Sequence, residues 1–324
     1  MWVEEAPKEP VIKNGWVKMR KIWNKAPQGF AGFAFNERNP PFNDRRVRLA
    51  FAHLFNRERL IEKLFFNEYE LINSTYPGSS WGAGDTNPMI LFDPGKAATL
   101  LAEAGYKERG RDGYLVGPDG KPLEVTLYYG DPSLERVWLV VRDDYQAAGV
   151  KFNLELIDGS TLIKKIDDRQ FQIHFQTWTS LLFPNPETSW RSDLADLPAN
   201  NNITGFKNAR VDELLKEYNR TLDRAGQRKI IKEIDQIVCN DIPYAWAWYA
   251  QYLRILYQDE FGHPERYVTR IGQQVEDDML RLWWWDPERI AATEKARAEG
   301  KALPQGQIEV RPWAGQSGAQ PTAL

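Results

Sequence analysis

The sequence predicts an α/β fold, because strand and helix patterns alternate through the middle of the chain. Apolar residues alternate with polar ones over 123–129 and 150–156, as in half-buried strands, and they recur at helical spacing over 134–148. A brief helix predicted from Ser160 leads to a third strand, Phe171–Trp178. Connections of this length favour parallel pairing of the strands. At 324 residues, 42% of them hydrophobic, the chain is long enough for about two domains.

The N-terminal third predicts one strand and three helices. Aromatic and small residues alternate over Gly29–Asn36, which indicates a short strand. Asn43 is the expected N-cap of an amphipathic helix, and Asn56 the N-cap of a shorter one. Asp93 followed by Pro94 begins a third helix, which Gly105 ends.

Two long loops separate the predicted elements. The first, 75–87, is rich in Gly, Ser and Pro, and the second, 181–205, contains three prolines and a run of asparagines. Loops of this length in a compact domain often carry function. After the second loop, apolar spacing predicts helices around 211–218 and 230–238, and the aromatic run Tyr244–Tyr257 predicts a strand. The polar region near the C-terminus predicts an exposed helix followed by disorder.

Composition excludes several classes of protein. Lys and Arg total 42 against 45 Asp and Glu, for a net charge of −3, so nucleic-acid binding is not expected. No apolar run approaches the ~20 residues that span a bilayer. The single cysteine, Cys239, rules out an internal disulfide. The 13 Trp and 13 Tyr are unusually many, and such a surplus often lines wet, partly enclosed surfaces as well as filling cores.

Residues with catalytic or metal-binding chemistry are sparse. The three histidines lie far apart in the sequence, so we expect no metal site and no cofactor, with His174 a structural residue on its strand. Cys239 is expected to be a buried, unreactive thiol. Adjacent carboxylates leave open a carbohydrate-active enzyme with an aromatic cleft and a carboxylate pair; they lie at Asp143-Asp144, Asp167-Asp168 and Glu276-Asp277-Asp278. The small number of candidate catalytic residues favours a binding protein and not an enzyme.

Three stretches carry recognisable motifs. The first is Phe33-Ala-Phe-Asn36 followed by Pro41-Phe-Asn-Asp-Arg-Arg-Val-Arg-Leu-Ala and its continuation to Ile61. The second is Asp93-Pro-Gly-Lys-Ala-Ala-Thr-Leu-Leu-Ala-Glu-Ala-Gly-Tyr106. The third is Gly205-Phe-Lys-Asn-Ala-Arg-Val-Asp-Glu-Leu-Leu215, with Arg228 and Pro243 beyond it. In this order, over about 30–290, the chain resembles the family 5 extracellular solute-binding proteins. These are the dipeptide- and oligopeptide-binding components of ABC importers, and the segments around Trp178 and Trp283 look most like the branch with the microcin C and oligopeptide importers.

The resemblance implies a fold like the type II periplasmic binding proteins, with two lobes joined by a hinge near Asn36 and Pro243. Residues 1–40 would be the end of lobe one and the first hinge crossing, 41–243 lobe two, 244–290 the return to lobe one, and 291–324 a polar tail. The first residues lack the basic and apolar regions of a secretory signal. Since the N-terminal part of lobe one would be missing, the signal is expected to be lost with it. The expected location is periplasmic, and the full-length protein is expected to be monomeric.

The resemblance also implies that a peptide or peptide-like ligand is enclosed between two lobes and delivered to permease subunits in the membrane. The residues expected to contact it are Asn36, Trp178, Thr179, Ser180, Leu181, Trp190, Asn202, Tyr244, Trp246 and Trp248. One departure matters, because many family members have an aspartate that holds the ligand's α-ammonium where this chain has Leu181 or Leu182. Its loss would remove a charge-assisted bond to a free N-terminus.

Overall fold

The computed structural model describes residues 2–272 and 275–314, without the side chain of Val275. The helices in this part of the chain, in order, are α1 (Pro10–Lys13), α2 (Arg45–Leu54), α3 (Arg57–Lys63), α4 (Pro94–Glu103), α5 (Glu135–Ala147), α6 (Gly159–Asp167), α7 (Glu187–Trp190), α8 (Ala209–Arg220), α9 (Arg224–Asp241), α10 (Val275–Leu282) and α11 (Pro287–Ala298). Short 3₁₀ helices lie at Ala6–Lys8, Pro132–Leu134 and Ser192–Leu194.

The strands are β1 (Val17–Trp23), β2 (Ala31–Phe35), β3 (Glu70–Leu71), β4 (Glu108–Arg109), β5 (Leu115–Val116), β6 (Glu124–Tyr129), β7 (Lys151–Leu156), β8 (Ile173–Thr177), β9 (Tyr244–Trp246), β10 (Trp248–Tyr249), β11 (Tyr252–Gln258), β12 (Phe261–Gly262), β13 (Trp284–Trp285) and β14 (Glu309–Val310). The alternation of strands and helices through 124–177 confirms the predicted α/β class.

The chain is divided into two compact units. The larger unit is Gln28–Tyr249, and the smaller one combines the residues up to Pro27 with those from Ala250 onward. These boundaries differ from the predicted crossings at Asn36 and Pro243. The reason is that β2 pairs with β8 and β9, so that both predicted hinge positions lie inside the larger unit.

The larger unit is built on a five-stranded sheet in the order β7-β6-β8-β2-β9. β6 pairs in parallel with β7 and β8, as the crossovers predict, whereas β2 is antiparallel to β8 and β9. All five residues of β2 are buried, because side chains of both faces of the sheet are covered. Phe33 packs on one face with α2 and α5, and Ala34 packs on the other with α8 and α9.

Capping residues start most of the helices of this unit. Asn56 and Asp93 accept hydrogen bonds from the backbone of their first turns, as predicted. α2 is capped by Asp44 and not by Asn43, since the Asp44 carboxylate accepts from the Arg46 backbone N–H. α6 likewise begins one residue before Ser160, because Asp158 is its cap.

The smaller unit is held by the antiparallel pair β1 and β11, with β14 parallel to β1. Its core contains Ile22, Ile255 and Tyr257. The run Tyr244–Tyr257 is therefore three strands, not one, divided between the two units. α11 confirms the predicted helix near the C-terminus. The disorder predicted beyond it is wrong for β14, and the remainder of that prediction, 315–324, lies outside the described residues.

Candidate functional site

Trp178 directly follows β8 and is tied to the neighbouring strand. Its backbone N–H donates to the Phe30 carbonyl, and its indole Nε1 donates to the Tyr244 hydroxyl at 3.0 Å. A Cβ on Gly29 would lie 1.6 Å from the Trp178 carbonyl oxygen, so only glycine permits this close approach. The side chain of Trp178 is thereby held half-buried at the end of the sheet.

A buried aromatic cluster lies behind Trp178. Tyr244 and Trp246 are two apart on β9 and share one face, where their rings stack at 5.4 Å between centroids. Phe30 meets both rings edge-on, and Trp190 meets Tyr244 at 6.3 Å. Burial raises the pKa of the Tyr244 hydroxyl, which stays neutral as the acceptor for Trp178. These rings form a rigid support and offer little surface themselves.

The segment that continues from Trp178 is exposed and apolar. Thr179 is exposed and Ser180 is buried. Leu181, Leu182 and Phe183 are 57%, 41% and 47% exposed, three consecutive apolar side chains in contact with solvent. Such a run on the surface of a folded unit is typical of a binding surface.

Trp81 and Arg224 support the far end of this segment. The ring of Phe183 meets Trp81 edge-on at 6.4 Å, and the Arg224 guanidinium lies 3.7 Å from the centroid of the Phe183 ring. Phe183 is therefore held from two sides although it is nearly half exposed. Residues 178–183, called the apolar segment below, run between two aromatic supports.

Trp248 lies apart from Trp178. Its ring contacts Phe55, Phe65, Tyr69 and Phe175. The three phenylalanines belong to, or pack against, the cluster on the opposite face of the sheet from Tyr244. The single residue between β9 and β10 accounts for this change of face. The structure thus brings Trp178, Trp190, Tyr244 and Trp246 together and places Trp248 elsewhere.

The two predicted amides, Asn36 and Asn202, are buried and bonded to protein groups. Asn36 Nδ2 donates to the Phe171 and Arg169 carbonyls, and its Oδ1 accepts from Arg38. Asn202 Nδ2 donates to the Arg191 and Phe206 carbonyls. Both amides therefore fix backbone segments near the aromatic cluster.

Sequence patterns missed Asp235, which organises the loop over 73–87. It is fully buried on α9, where its carboxylate accepts from the Ser74 and Thr75 hydroxyls, from the Thr75 and Ala83 backbone N–H groups and from the Asn87 amide, at 2.6–3.1 Å. A signal was available, since an aspartate between Ile234 and Val238 interrupts the apolar stripe of an amphipathic helix. This loop holds Trp81 under the apolar segment.

The same loop borders a small polar pocket of about 260 Å³. Residues of 70–79 line it together with Gly82, Gly84, Asp85 and Tyr249. The Tyr249 hydroxyl donates to a Glu70 carboxylate oxygen at 3.3 Å. A side chain on Gly78, whose φ is +66°, would be strained and would approach the Tyr249 hydroxyl to 3.0 Å.

His174 and Cys239, whose side chains could in principle bind metal or act as nucleophiles, have structural surroundings. Burial lowers the pKa of His174 to about 4, and its Nε2 is within 3.2 Å of the Gln176 amide oxygen. Burial also raises the pKa of the Cys239 thiol, which contacts Asp235. Over 2–272 and 275–314, no group of three or more His, Cys, Asp or Glu side chains is placed to hold a metal ion.

Two carboxylates lie beside Arg48: that of Glu37, which is 13% exposed, and that of Asp241, which is 33% exposed. Arg48 Nη2 is 3.0 Å from an Asp241 oxygen and 3.6 Å from a Glu37 oxygen. Burial, together with the negative charge of Asp241 and its hydrogen bond, raises the pKa of Glu37 to about 8, and the positive charge of Arg48 opposes this rise. Glu37 therefore carries a proton in the folded protein near neutral pH.

The pH dependence of stability follows from this raised pKa. The folded state holds a proton that the unfolded chain releases above pH about 4.5, so the free energy of unfolding falls as the pH rises through 8. We expect a loss of about 1–2 kcal/mol between pH 6.5 and 8.5, above the range in which His174 titrates. Glu37→Gln should flatten this slope in urea unfolding, whereas the exposed Glu62→Gln should keep it. An unchanged slope in Glu37→Gln contradicts the assignment.

Comparisons with known proteins agree with the fold and define the class of protein. The model for bacterial extracellular solute-binding proteins, family 5 middle, matches residues 3–200. The chain belongs to this family. The oligopeptide-binding protein AppA of Bacillus subtilis is 25% identical over 273 residues, which are 82% of this chain and 48% of AppA. The chain spans about half the length of the curated relatives it matches.

Solved structures share the same mixed α/β fold. The structure of Bacillus subtilis AppA in complex with a nonapeptide superposes with a TM-score of 0.71 at 23% identity, covering 84% of this chain and 53% of AppA. A periplasmic oligopeptide-binding protein of Thermotoga maritima, bound to mannohexaose, gives a TM-score of 0.66 at 20% identity and covers 79% and 51% of the two chains. The predicted likeness to periplasmic binding proteins is confirmed, and the comparisons give no support to a carbohydrate-active enzyme.

Among the described residues, none of the helices combines the length and the apolar character needed to span a bilayer.

Proposed function

We propose that this chain is a ligand-binding part of an ABC importer and captures peptides or peptide-like solutes. The observation that carries the proposal is the exposed apolar segment, mounted on a buried aromatic cluster, in a chain of the family 5 solute-binding proteins. An apolar surface with few polar anchors suits ligands of varied side chains, because it recognises area more than particular groups. Permease subunits in the membrane would be the partners, on the extracellular or periplasmic side, and the full-length protein would be a monomer.

Within this proposal the predicted residues divide into two roles. Trp178, Thr179 and Leu181 would contact the ligand, because each is exposed or half-buried at the end of the sheet. Trp190, Tyr244, Trp246, Asn36, Asn202 and Ser180 would position them, since all are buried. Trp248 is half-buried on the opposite face and would contribute only to a ligand long enough to reach it. No catalytic step and no cofactor is part of the proposal.

The experiment that tests the proposal is a calorimetric titration with peptides of four to ten residues. We expect Trp178→Ala to lower the affinity about tenfold, because truncating a large aromatic contact commonly removes 1–3 kcal/mol of binding free energy. Trp285→Ala is the control, since Trp285 is 63% exposed in the smaller unit. Equal affinities for the wild type and Trp178→Ala, with both folded by circular dichroism, would contradict the proposed contact.

A carboxylate added to the apolar segment should change the preference for the peptide N-terminus. In Leu181→Asp or Leu182→Asp, the new charge can form the charge-assisted bond that many relatives are expected to make with an α-ammonium group. We expect at least one of them to bind free peptides about tenfold more tightly relative to N-acetylated ones than the wild type does. Leu222→Asp, at a leucine 92% exposed, is the matched control. The same preference in all four proteins would rule out this segment as the site of the N-terminus.

The branch within the family is proposed on the sequence motifs alone. The segments around Trp178 and Trp283 resemble the branch of microcin C and oligopeptide importers. A blocked, longer or non-peptide ligand would be in accordance with Leu181 and Leu182 at the position of the missing aspartate.

A further inference from the structure

The outer side of α9 carries an open groove with a volume of about 730 Å³. Its lining residues are Ser80, Ala225, Arg228, Lys229, Lys232, Glu233 and Gln236. All but Ser80 lie on a single face of α9, at spacings of three and four residues. None of them belongs to the apolar segment or to the aromatic cluster behind it.

The groove has excess positive charge. Within the described residues, Arg228, Lys229 and Lys232 have no carboxylate within ion-pair distance. Glu233 does not neutralise them, because its carboxylate is bound by Arg210 at 2.8–2.9 Å. This concentration of unpaired cations contrasts with the net charge of −3 of the whole chain.

Part of the groove is already ordered. The Arg228 guanidinium lies 5.5 Å from the centroid of the Trp81 ring, and its Nε is buried without a hydrogen-bond acceptor. Gln236 is held by a 2.7 Å hydrogen bond from its amide to the Thr86 hydroxyl. Binding an anion here therefore requires little ordering of the Arg228 side chain.

We propose that this groove binds an extended, acidic segment of a partner protein. A helix rises 1.5 Å per residue, so Arg228 and Lys232 are about 6 Å apart along α9. Alternate side chains of an extended chain are about 6.6 Å apart. Carboxylates at every second position of such a segment would therefore face successive cations, while the residues between them point away. This surface goes beyond the proposed ligand site.

The spacing argues against a simple anionic surface as the partner. A lipid headgroup layer or a lone phosphate has no repeat to match, and both would respond only to the total charge. An extended chain with alternating carboxylates is the occupant that uses both the charge and the periodicity of the groove. Its binding is expected to weaken as salt increases.

The test measures the binding of two fluorescent peptides to the full chain by fluorescence anisotropy at low salt. The peptides have equal composition: one has six alternating Glu-Ser pairs, and the other has six Glu followed by six Ser. We expect the alternating peptide to bind at least threefold more tightly. Lys229→Glu combined with Lys232→Glu should weaken it about tenfold, whereas the matched double variant Lys107→Glu and Lys164→Glu, at exposed lysines outside the groove, should not.

Three results would overturn the proposal. One is equal affinity for the two peptides, and another is equal weakening in both double variants. The third is binding of vesicles with 30% phosphatidylserine that depends on Lys229 and Lys232 while neither peptide binds, which would assign the groove to a membrane surface. Circular dichroism of each variant keeps loss of folding apart from loss of binding.

Discussion

Replacing Asp235 with alanine is expected to lower the free energy of unfolding by about 3–5 kcal/mol. The carboxylate is completely buried and accepts hydrogen bonds from groups of Ser74, Thr75, Ala83 and Asn87. Without it, several buried donors lose their acceptor at once, and each unsatisfied donor costs about 1–3 kcal/mol before the structure relaxes. The loss is measured by urea unfolding at pH 7.

The control for this prediction lies on the same helix. Glu233→Ala removes a carboxylate that forms a half-exposed ion pair with Arg210, so a loss below about 1 kcal/mol is expected. Hydrogen exchange adds a local readout, because the amides of 74–87 should exchange faster in Asp235→Ala and not in Glu233→Ala. Similar losses of stability in both variants would show that Asp235 does not anchor the loop.

Replacing Arg57 with methionine is expected to destabilise the larger unit by about 2–4 kcal/mol. This side chain is 2% exposed, and its guanidinium donates to the carbonyls of Ile72, Trp246, Ala247 and Ile90. Burial lowers the pKa of Arg57 to about 10, so it still carries its charge at neutral pH. Methionine fills part of the volume and leaves these buried carbonyls without their donor.

Lys63→Met is the matched control, since Lys63 is exposed on the same helix and, among the described residues, forms an ion pair only with the adjacent Glu62. A change within about 0.5 kcal/mol is expected for it in urea unfolding. Arg57→Lys should remain destabilised, because an ammonium group cannot reproduce the planar fork of donors. Wild-type stability in Arg57→Met would contradict the role assigned to the guanidinium.

Local sequence signals predicted the elements that local physics determines. Asp93 with Pro94 located the start of α4, and Gly105 and Gly149, both with positive φ, follow the ends of α4 and α5 as predicted. Alternation and helical spacing also located the three parallel strands and the helices between them. The cap of α2 was predicted at Asn43, one residue before Asp44, and the start of α6 at Ser160, one residue late. Both errors arose where neighbouring polar residues could each serve as the cap.

The periodicity of the sequence does not predict which strands pair when they are far apart in the chain. The run Tyr244–Tyr257 reads as one strand, but its first part pairs with β2 and β3 and its last part with β1, so the chain changes unit within it. The position of β9 at the edge of the sheet, and of β2 beside it, depends on the same distant contacts. The very short strand β14 has no pattern of its own.

The candidate site was predicted in part. Trp178, Trp190, Tyr244 and Trp246 do meet in one cluster, but residue type alone does not distinguish a buried support from an exposed contact. Trp248 lies on the opposite face of the sheet from Tyr244 because one residue separates β9 from β10. The role of Asp235 was not predicted, because a carboxylate on a helix is usually solvated. The burial of this carboxylate depends on hydrogen-bond donors from a loop about 150 residues away in the sequence.

The proposed capture of peptides without chemical change to them is tested most directly by equilibrium dialysis followed by mass spectrometry. The purified chain is dialysed against a mixture of four- to ten-residue peptides and, separately, against mannohexaose. We expect peptides to be retained by the wild type, retained in smaller amounts by Trp178→Ala, and recovered with unchanged masses. Two kinds of result would contradict the proposed function. One is cleavage of mannohexaose or of the peptides, and the other is a chain that retains no peptide of any length.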